Sequence, residues 1–201
     1  MAPMSAELLL AFAGFALVTS ITPGPNNTML LASGVNHGFW RTLPHMAGVS
    51  LGCVLLFVLV ALGLGALLTA TPALYAALRT ISGAYLLWLA WHIARSGPVA
   101  AGRGRGRPMR FLEAAAFQWV NPKAWVMVVG AVTTYAPHDG FSRAVAVLAV
   151  LFLAINAPSI ALWAGCGVAL RRVLTHPGRV RAFNGAMALL LVLSLCPLLE
   201  H

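Results

Sequence analysis

A polar stretch broken by two prolines lies inside the first long apolar run of the chain. The run extends from about Leu8 to Leu31, and the stretch reads Thr22-Pro23-Gly24-Pro25-Asn26-Asn27. Proline lacks an amide hydrogen and clashes with the preceding turn, so a helix opens here and leaves backbone carbonyls without partners. In hydrocarbon such groups are costly unless protein or a water-filled cavity satisfies them. The stretch is therefore either a kink tolerated for packing or the wall of a substrate site.

The composition excludes an ordinary soluble domain. Of the 201 residues, 60% are hydrophobic and only 8% are charged, whereas soluble domains carry about 25% charged residues. Six apolar runs are each long enough to cross about 30 Å of hydrocarbon. They are roughly 8–31, 43–68, 74–94, 111–135, 144–170 and 183–199. The intervening segments are too short to fold separately, so we predict one all-α integral membrane domain, 1–201, with six transmembrane helices.

The formal charge of +9 raises the possibility of nucleic-acid binding, particularly at the Arg-Gly repeat 103–107. The positions of the charges favour another interpretation. Ten of the thirteen lysines and arginines lie in or beside the first, third and fifth connections. By the positive-inside rule these connections are cytoplasmic and both termini lie outside. We therefore predict that the protein lies in the lipid bilayer of a bacterial inner membrane and has no nucleic-acid partner. The charge distribution is compatible with a homo-oligomer.

A second polar interruption opens the other half of the chain. Gln118, Asn121, Pro122 and Lys123 break the apolar run 111–135 about a dozen residues from its cytoplasmic end. A lysine near the membrane centre costs about 2.5 to 3.5 kcal/mol, so intramembrane charge suggests function. Backbone carbonyls that satisfy the lysine structurally are the alternative.

A third polar interruption is predicted in the fifth apolar run. It combines Asn156 with Pro158, an amide and a proline in the middle of 144–170. We include Asn156 among the candidate substrate-binding residues because its amide both donates and accepts hydrogen bonds.

The two halves of the chain match at a shift of 102 residues. Gly38-Phe39-Trp40-Arg41 aligns with Gly140-Phe141-Ser142-Arg143, and the segment 79–84 aligns with 181–186. We predict repeat 1 over about 1–95, a linker at 96–110 and repeat 2 over about 111–201. Three helices per half require the second copy to insert upside down, with helices 1 and 4 broken. Inverted repeats with interrupted helices at matching positions indicate a transporter site at the repeat interface.

These motifs resemble the LysE/RhtB family of bacterial amino-acid exporters. The resemblance covers nearly the whole chain and rests on the segments 22–27, 37–39, 47–52, 83–86 and 121–123. Within the family, the segment 22–27, His37-Gly38-Phe39 and the segment 88–91 are most similar to the cysteine/O-acetylserine exporter branch. The Arg-Gly central loop departs from the family pattern. The resemblance implies a six-helix exporter of amino acids.

Charge favours a small neutral or zwitterionic amino acid as the exported substrate. Lys123 can meet a carboxylate, while freed carbonyls near Pro23 and side-chain amides can meet an ammonium group. No Asp or Glu lies deep in any span, so a basic side chain would lack a counter-charge. The candidate substrate-binding residues are Pro23, Gly24, Pro25, Asn26, Asn27, Gln118, Asn121, Pro122, Lys123 and Asn156. If protons drive export by alternating access, Lys123, His45 or the substrate amine carries them, and the sequence does not choose.

The sequence lacks the residue sets that an enzyme or a metal transporter would require. The six histidines are scattered over loops and ends without ligand spacing, and the three cysteines suit apolar packing. We therefore expect no catalytic set, no metal site and no cofactor. The alternative to amino-acid export is a metal-ion or other small-solute efflux protein, or a channel. Such a protein would require rings of carboxylates or clustered thiolates. An intramembrane enzyme is the less favoured third interpretation.

The arginine distribution makes a topology prediction. Reporter fusions should place the C-terminus at His201 outside and the connection at 96–110 in the cytoplasm, because the odd-numbered connections hold most of the positive charge. A cytoplasmic reporter signal from a His201 fusion would contradict this orientation.

Overall fold

The computed structural model describes residues 4–95, 107–137, 140–174 and 176–195, the first range without the side chains at 68, 69, 72, 74, 75 and 79. Throughout these ranges the regular structure is helical. A π-helical turn, Val60–Leu64, joins α3 to α4, and a 3₁₀ turn, Gln118–Val120, follows α6. The α-helices are α1 (Ala6–Ile21), α2 (Pro25–His37), α3 (Phe39–Leu59), α4 (Gly65–Ala70), α5 (Pro72–Ala94), α6 (Phe111–Phe117), α7 (Pro122–Tyr135), α8 (Phe141–Arg171) and α9 (Pro177–Leu193).

Several predicted features fall outside the described residues. They are residues 96–106 of the linker, which hold all of the Arg-Gly repeat except Arg107, and the end of the sixth run with Cys196 and His201.

The predicted break in the first apolar run is confirmed. Helix α1 ends at Ile21, Thr22 has an extended backbone, and α2 restarts at Pro25. Proline suits the first position of a helix, where no intrahelical partner exists for the missing amide hydrogen. The axes of α1 and α2 differ by 54°.

The second predicted break is confirmed as well. After α6 and its 3₁₀ turn, Asn121 adopts an extended backbone with φ −94° and ψ 105°. Helix α7 then begins at Pro122, with the Asn121 side chain accepting a hydrogen bond from the Lys123 amide at 3.2 Å. Both interrupted helices therefore restart in the same way, with a proline at the first helical position.

The predicted interruption at Pro158 is wrong. Helix α8 runs without a break through this residue for 31 residues. A single proline removes one amide donor, and the many remaining backbone hydrogen bonds keep a helix of this length continuous.

Two glycine pairs bring helices into backbone contact. Gly34 in α2 faces Gly167 in α8, where an added Cβ would lie 2.2 Å from the Ala164 carbonyl oxygen on one side and from the Leu31 carbonyl oxygen on the other. Gly48 and Gly52 make the same kind of contact between α3 and α6. Such seams form where small residues let backbones approach closely.

The packed helices form one main core and one smaller core. The main core takes buried side chains from α1, α2, α3, α6, α7 and α8. Helices α5 and α9 pack against each other, and a second cluster around Leu86, Phe117 and Leu191 joins them to the rest. The helices on both sides of each break, α1, α2, α6 and α7, therefore contribute to the main core.

Three segments have the length and hydropathy of membrane spans. The helical segments Phe39–Leu67 and Phe141–Arg171 qualify alone, and α1 with α2 qualifies as a bent pair. All-helical architecture is thus shown for the described residues, while the count of six spans stays a prediction.

The α2–α8 seam predicts an asymmetric response to alanine. Gly167→Ala places a methyl group against backbone and should destabilise the protein by about 1 to 3 kcal/mol. The matched control is Gly165→Ala, because nothing lies within 4 Å of the position that its methyl group would take and alanine favours helix. Thermal unfolding in detergent should show a lower midpoint for the first variant and an equal or higher one for the second. Equal midpoints would show that the seam has room to relax.

Candidate functional site

A small cavity of about 30 Å³ lies between the two helix breaks. This volume holds about one water molecule and is too small for an amino acid. Seven of the twelve lining residues have a polar or charged side chain, which is unusual inside an apolar core. The lining residues are Thr19, Ser20, Gly24, Asn26, Asn27, Cys53, Asn121, Lys123, Ala124, Met127, Asn156 and Ile160.

The carbonyls released by the first break are bound by side chains. Asn27 donates from Nδ2 to the carbonyl oxygens of Ser20, at 2.8 Å, and Thr22, at 2.9 Å. Trp163 of α8 donates from its indole nitrogen to the Ile21 carbonyl oxygen at 3.2 Å. The opened backbone is thus satisfied by the protein, as a buried polar group requires.

Lys123 completes this set from the other half of the chain. Its Nζ lies 2.6 Å from the Thr22 carbonyl oxygen and 3.3 Å from the Pro23 carbonyl oxygen. The side chain also fills the space over Gly24, where an added Cβ would lie 2.7 Å from Lys123 Cδ. The carbonyls predicted to meet a substrate ammonium therefore meet the lysine ammonium in this structure.

An amide pair ties the two breaks together. Asn26 donates to Gln118 Oε1 at 2.8 Å, and Gln118 donates back to Asn26 Oδ1 at 3.1 Å. Gln118 is fully buried and donates also to the Ala114 carbonyl oxygen at 2.8 Å. The Cys53 thiol points to the same Gln118 oxygen at 3.3 Å, so this cysteine is part of the polar network and not only an apolar packing residue.

Asn156 links three helices at the opposite wall. Its Nδ2 donates to the Ser20 hydroxyl in α1 at 3.1 Å, and its Oδ1 accepts from the Ser50 hydroxyl in α3 at 3.1 Å. All three side chains are buried. The amide thus holds α1, α3 and α8 together beside the cavity.

The structure brings most of the predicted site residues together. Six of them line the cavity, Gln118 lies directly behind Asn26, and the three prolines shape the breaks without lining the wall. Those six are Gly24, Asn26, Asn27, Asn121, Lys123 and Asn156.

Other lining residues were not predicted. Thr19 and Ser20 form a polar patch just before the first break, a signal that sequence reasoning had available. Cys53, Ala124, Met127 and Ile160 have side chains typical of any apolar core, so only the folded structure reveals their position.

The cavity wall offers little to a metal ion. Among the residues that the structure describes, no group of three or more His, Cys, Asp or Glu side chains is placed to hold one. The wall instead presents one ammonium group, several amides and hydroxyls, and the N-terminal ends of α2 and α7. This donor set suits a carboxylate or another small polar organic group.

Comparison with known proteins gives a consistent answer. The family model described as LysE type translocator matches residues 17–198. A cysteine/O-acetylserine efflux protein of Salmonella typhimurium is 35% identical over 190 residues, which is 94% of this chain and 96% of the relative. The protein of the same description from Escherichia coli K12 has the same identity and coverage. No solved structure matches.

The Asn26–Gln118 pair predicts strong coupling between two residues that are 92 positions apart. Asn26→Leu removes one partner of the buried Gln118 amide, and Gln118→Leu removes the amide partner of the half-buried Asn26. Each change should cost about 1 to 3 kcal/mol, whereas the double variant removes both amides and strands neither. In a double-mutant cycle, the loss of unfolding free energy in the double variant should therefore be clearly smaller than the sum of the two single losses. Additive losses would show that the two amides do not interact.

Proposed function

Because the chain belongs to the LysE type translocator family, we propose that it exports small neutral or zwitterionic amino acids, or derivatives of them, from the cytoplasm. Members of this family are translocators, so the chain is a transporter and not an enzyme. The relatives described as cysteine/O-acetylserine efflux proteins make these two compounds the first substrates to test. The observation that carries the proposal is the contact between Lys123 and the carbonyls of the first break.

A zwitterion can exchange with this contact without leaving a charge unpaired. The substrate carboxylate takes the Lys123 ammonium, and the substrate ammonium takes the Thr22 and Pro23 carbonyls that the lysine gives up. Each broken bond is replaced by another of the same type, so no buried group is stranded. A lone anion or a lone cation would satisfy only one side of the exchange.

The two restarted helices support carboxylate binding at the same place. Helices α2 and α7 begin at Pro25 and Pro122, beside the lining residues Asn26 and Lys123. The N-terminal end of a helix carries partial positive charge and unsatisfied amide donors. Transporters with discontinuous helices direct such ends at anionic substrate groups.

The same wall disfavours basic amino acids. No acidic side chain lines the described cavity, and Lys123 adds a positive charge to it. A lysine or arginine substrate would bring a second cation without a counter-charge, which is costly in a low-dielectric site.

Alternating access between inverted halves is the proposed mechanism. A cavity of about 30 Å³ excludes the substrate until helices move. The matching restarts at Pro25 and Pro122 fit six spans arranged as two inverted repeats, with both termini outside in a bacterial inner membrane. Proton coupling through Lys123, His45 or the substrate amine is a further part of the proposal.

Lys123→Met should abolish recognition of the substrate carboxylate. Loss of a charge-assisted contact worth about 1.5 to 3 kcal/mol lowers affinity roughly tenfold to a hundredfold. Equilibrium binding of O-acetylserine and its methyl ester should show that the wild type prefers the free carboxylate and that the variant does not. The fold should hold, because Asn27 still satisfies the Thr22 carbonyl and the Pro23 carbonyl, which loses its lysine partner, belongs to an exposed residue.

Gly24→Ala is the matched variant that retains the charge. The new methyl group displaces the flexible Lys123 side chain by contact at Cδ, so affinity should fall less than in Lys123→Met while the preference for the carboxylate persists. An undiminished preference in Lys123→Met would show that the lysine only satisfies backbone carbonyls and that another group binds the carboxylate.

A further inference from the structure

A second and much larger cavity lies farther along α2. Its volume is about 520 Å³, within the range of about 300 to 1,000 Å³ typical of ligand pockets. The N-terminal end of α2, at Asn26 and Asn27, lines the small cavity, and the following turns, from Met29 to His37, line the large one. The predicted topology puts this end of α2 on the cytoplasmic side. We name the large cavity the vestibule.

His45 in the vestibule wall is a buried polar side chain without a hydrogen-bond partner. The sequence suggested a histidine among loops and helix ends, but His45 lies inside α3 and is only 2% exposed. Neither ring nitrogen has a hydrogen-bond partner among the described residues. A buried imidazole with unused donor and acceptor capacity is destabilising, and a native protein that keeps one commonly has a use for it.

The vestibule has two chemically different walls. Helices α2 and α3 contribute the more polar wall, with four polar side chains beside the apolar Met29 and Ala32; the four are Ser33, Asn36, His37 and His45. Helix α5 contributes the more apolar wall, in which His92 accompanies Tyr85, Trp88, Leu89 and Ile93. A ligand that fits both walls has a polar head and an apolar or weakly polar tail.

The charged groups of the vestibule cancel each other. Arg107 and Glu113 are the only Arg, Lys, Asp or Glu side chains among its described lining residues, and they form an ion pair. The Glu113 carboxylate also accepts from the Arg110 amide at 2.9 Å. The ion pair adds no net charge to the wall, and Arg41 and Arg171 bring positive charge close to His37, so a cationic ligand is disfavoured.

We propose that the vestibule is a second binding site, which receives a neutral amino acid with an extended side chain before it reaches the small cavity. The polar head of the amino acid faces His45 and Ser33, and its side chain lies against Tyr85 and Ile93, beside Leu89. The inference rests on the proposed export function, because it assigns the vestibule to the same substrates on the cytoplasmic side.

Thiol protection tests the vestibule directly. A background with Cys53→Ser, Cys166→Ala and Cys196→Ala carries Leu89→Cys as the reporter, since Leu89 is partly exposed in the vestibule wall. Inside-out vesicles are treated with a membrane-impermeant maleimide, with O-acetylserine or lysine as the added ligand. O-acetylserine should slow labelling of the new cysteine and lysine should not. Absence of protection by O-acetylserine would overturn the proposal.

Two substitutions of His45 test its role. His45→Leu should raise the half-protecting concentration of O-acetylserine about threefold to tenfold, the effect of one lost neutral hydrogen bond. The variant should fold, because it replaces an unpartnered buried polar group with an apolar one. His45→Gln keeps a donor and an acceptor and should retain more protection. His176→Gln, at the N-terminal end of α9, is the control and should change nothing. Undiminished protection in His45→Leu would remove His45 from the site.

Lys123→Met separates the vestibule from the small cavity. Protection of the cysteine at position 89 should persist in this variant, while its preference for a free carboxylate in equilibrium binding disappears. Loss of protection in Lys123→Met would mean that occupancy of the small cavity protects the reporter, which overturns a separate vestibule site. Persistent protection together with an unchanged carboxylate preference would contradict the role of Lys123 in the proposed function and leave the vestibule site standing.

Discussion

The backbone opened at Thr22-Pro23-Gly24 is the constraint on which the rest of the structure depends. A helix broken in hydrocarbon exposes carbonyls that lipid cannot satisfy, and here each of four consecutive carbonyls, from Ser20 to Pro23, accepts a side-chain hydrogen bond. The donors come from α2, α7 and α8. The break therefore acts as the point at which distant parts of the chain are joined, and any movement that opens the cavity has to exchange these bonds.

The sequence predicts where the helices break but not how the breaks are satisfied. Proline and amide residues inside apolar runs mark both interruptions, and the sole charge at that depth marks Lys123 as a special residue. Its partner at Thr22 lies 101 positions away, and the indole of Trp163 reaches Ile21 across 142 positions. Local pattern carries no information on such pairs, because they are set by how helices of the two halves pack.

Prediction also failed where one residue type serves two purposes. Pro158 resembles the prolines of the two breaks, but no residue with an extended backbone precedes it, and helix α8 continues through it. The sequence predicts Cys53 to be a small apolar packing residue, yet its thiol donates a hydrogen bond to Gln118 Oε1. His45 lies near the start of the second predicted run, among histidines expected at loops and ends, yet it is buried in α3. In each case the environment decides between the two roles, and the environment exists only in the folded chain.

The glycine seams restrict which parts of the molecule are free to move. Gly34 against Gly167 fixes α2 on α8, and Gly48 with Gly52 fixes α6 on α3, at backbone separations that leave no space for a methyl group. Close-packed surfaces of this kind do not slide without steric conflict. Thr22 and Asn121 have extended backbones and stand at the two breaks, where one helix ends and the next begins. Rotation at these two points would change the angle between half-helices while both seams stay intact, which suits the helix movement that the proposed transport requires.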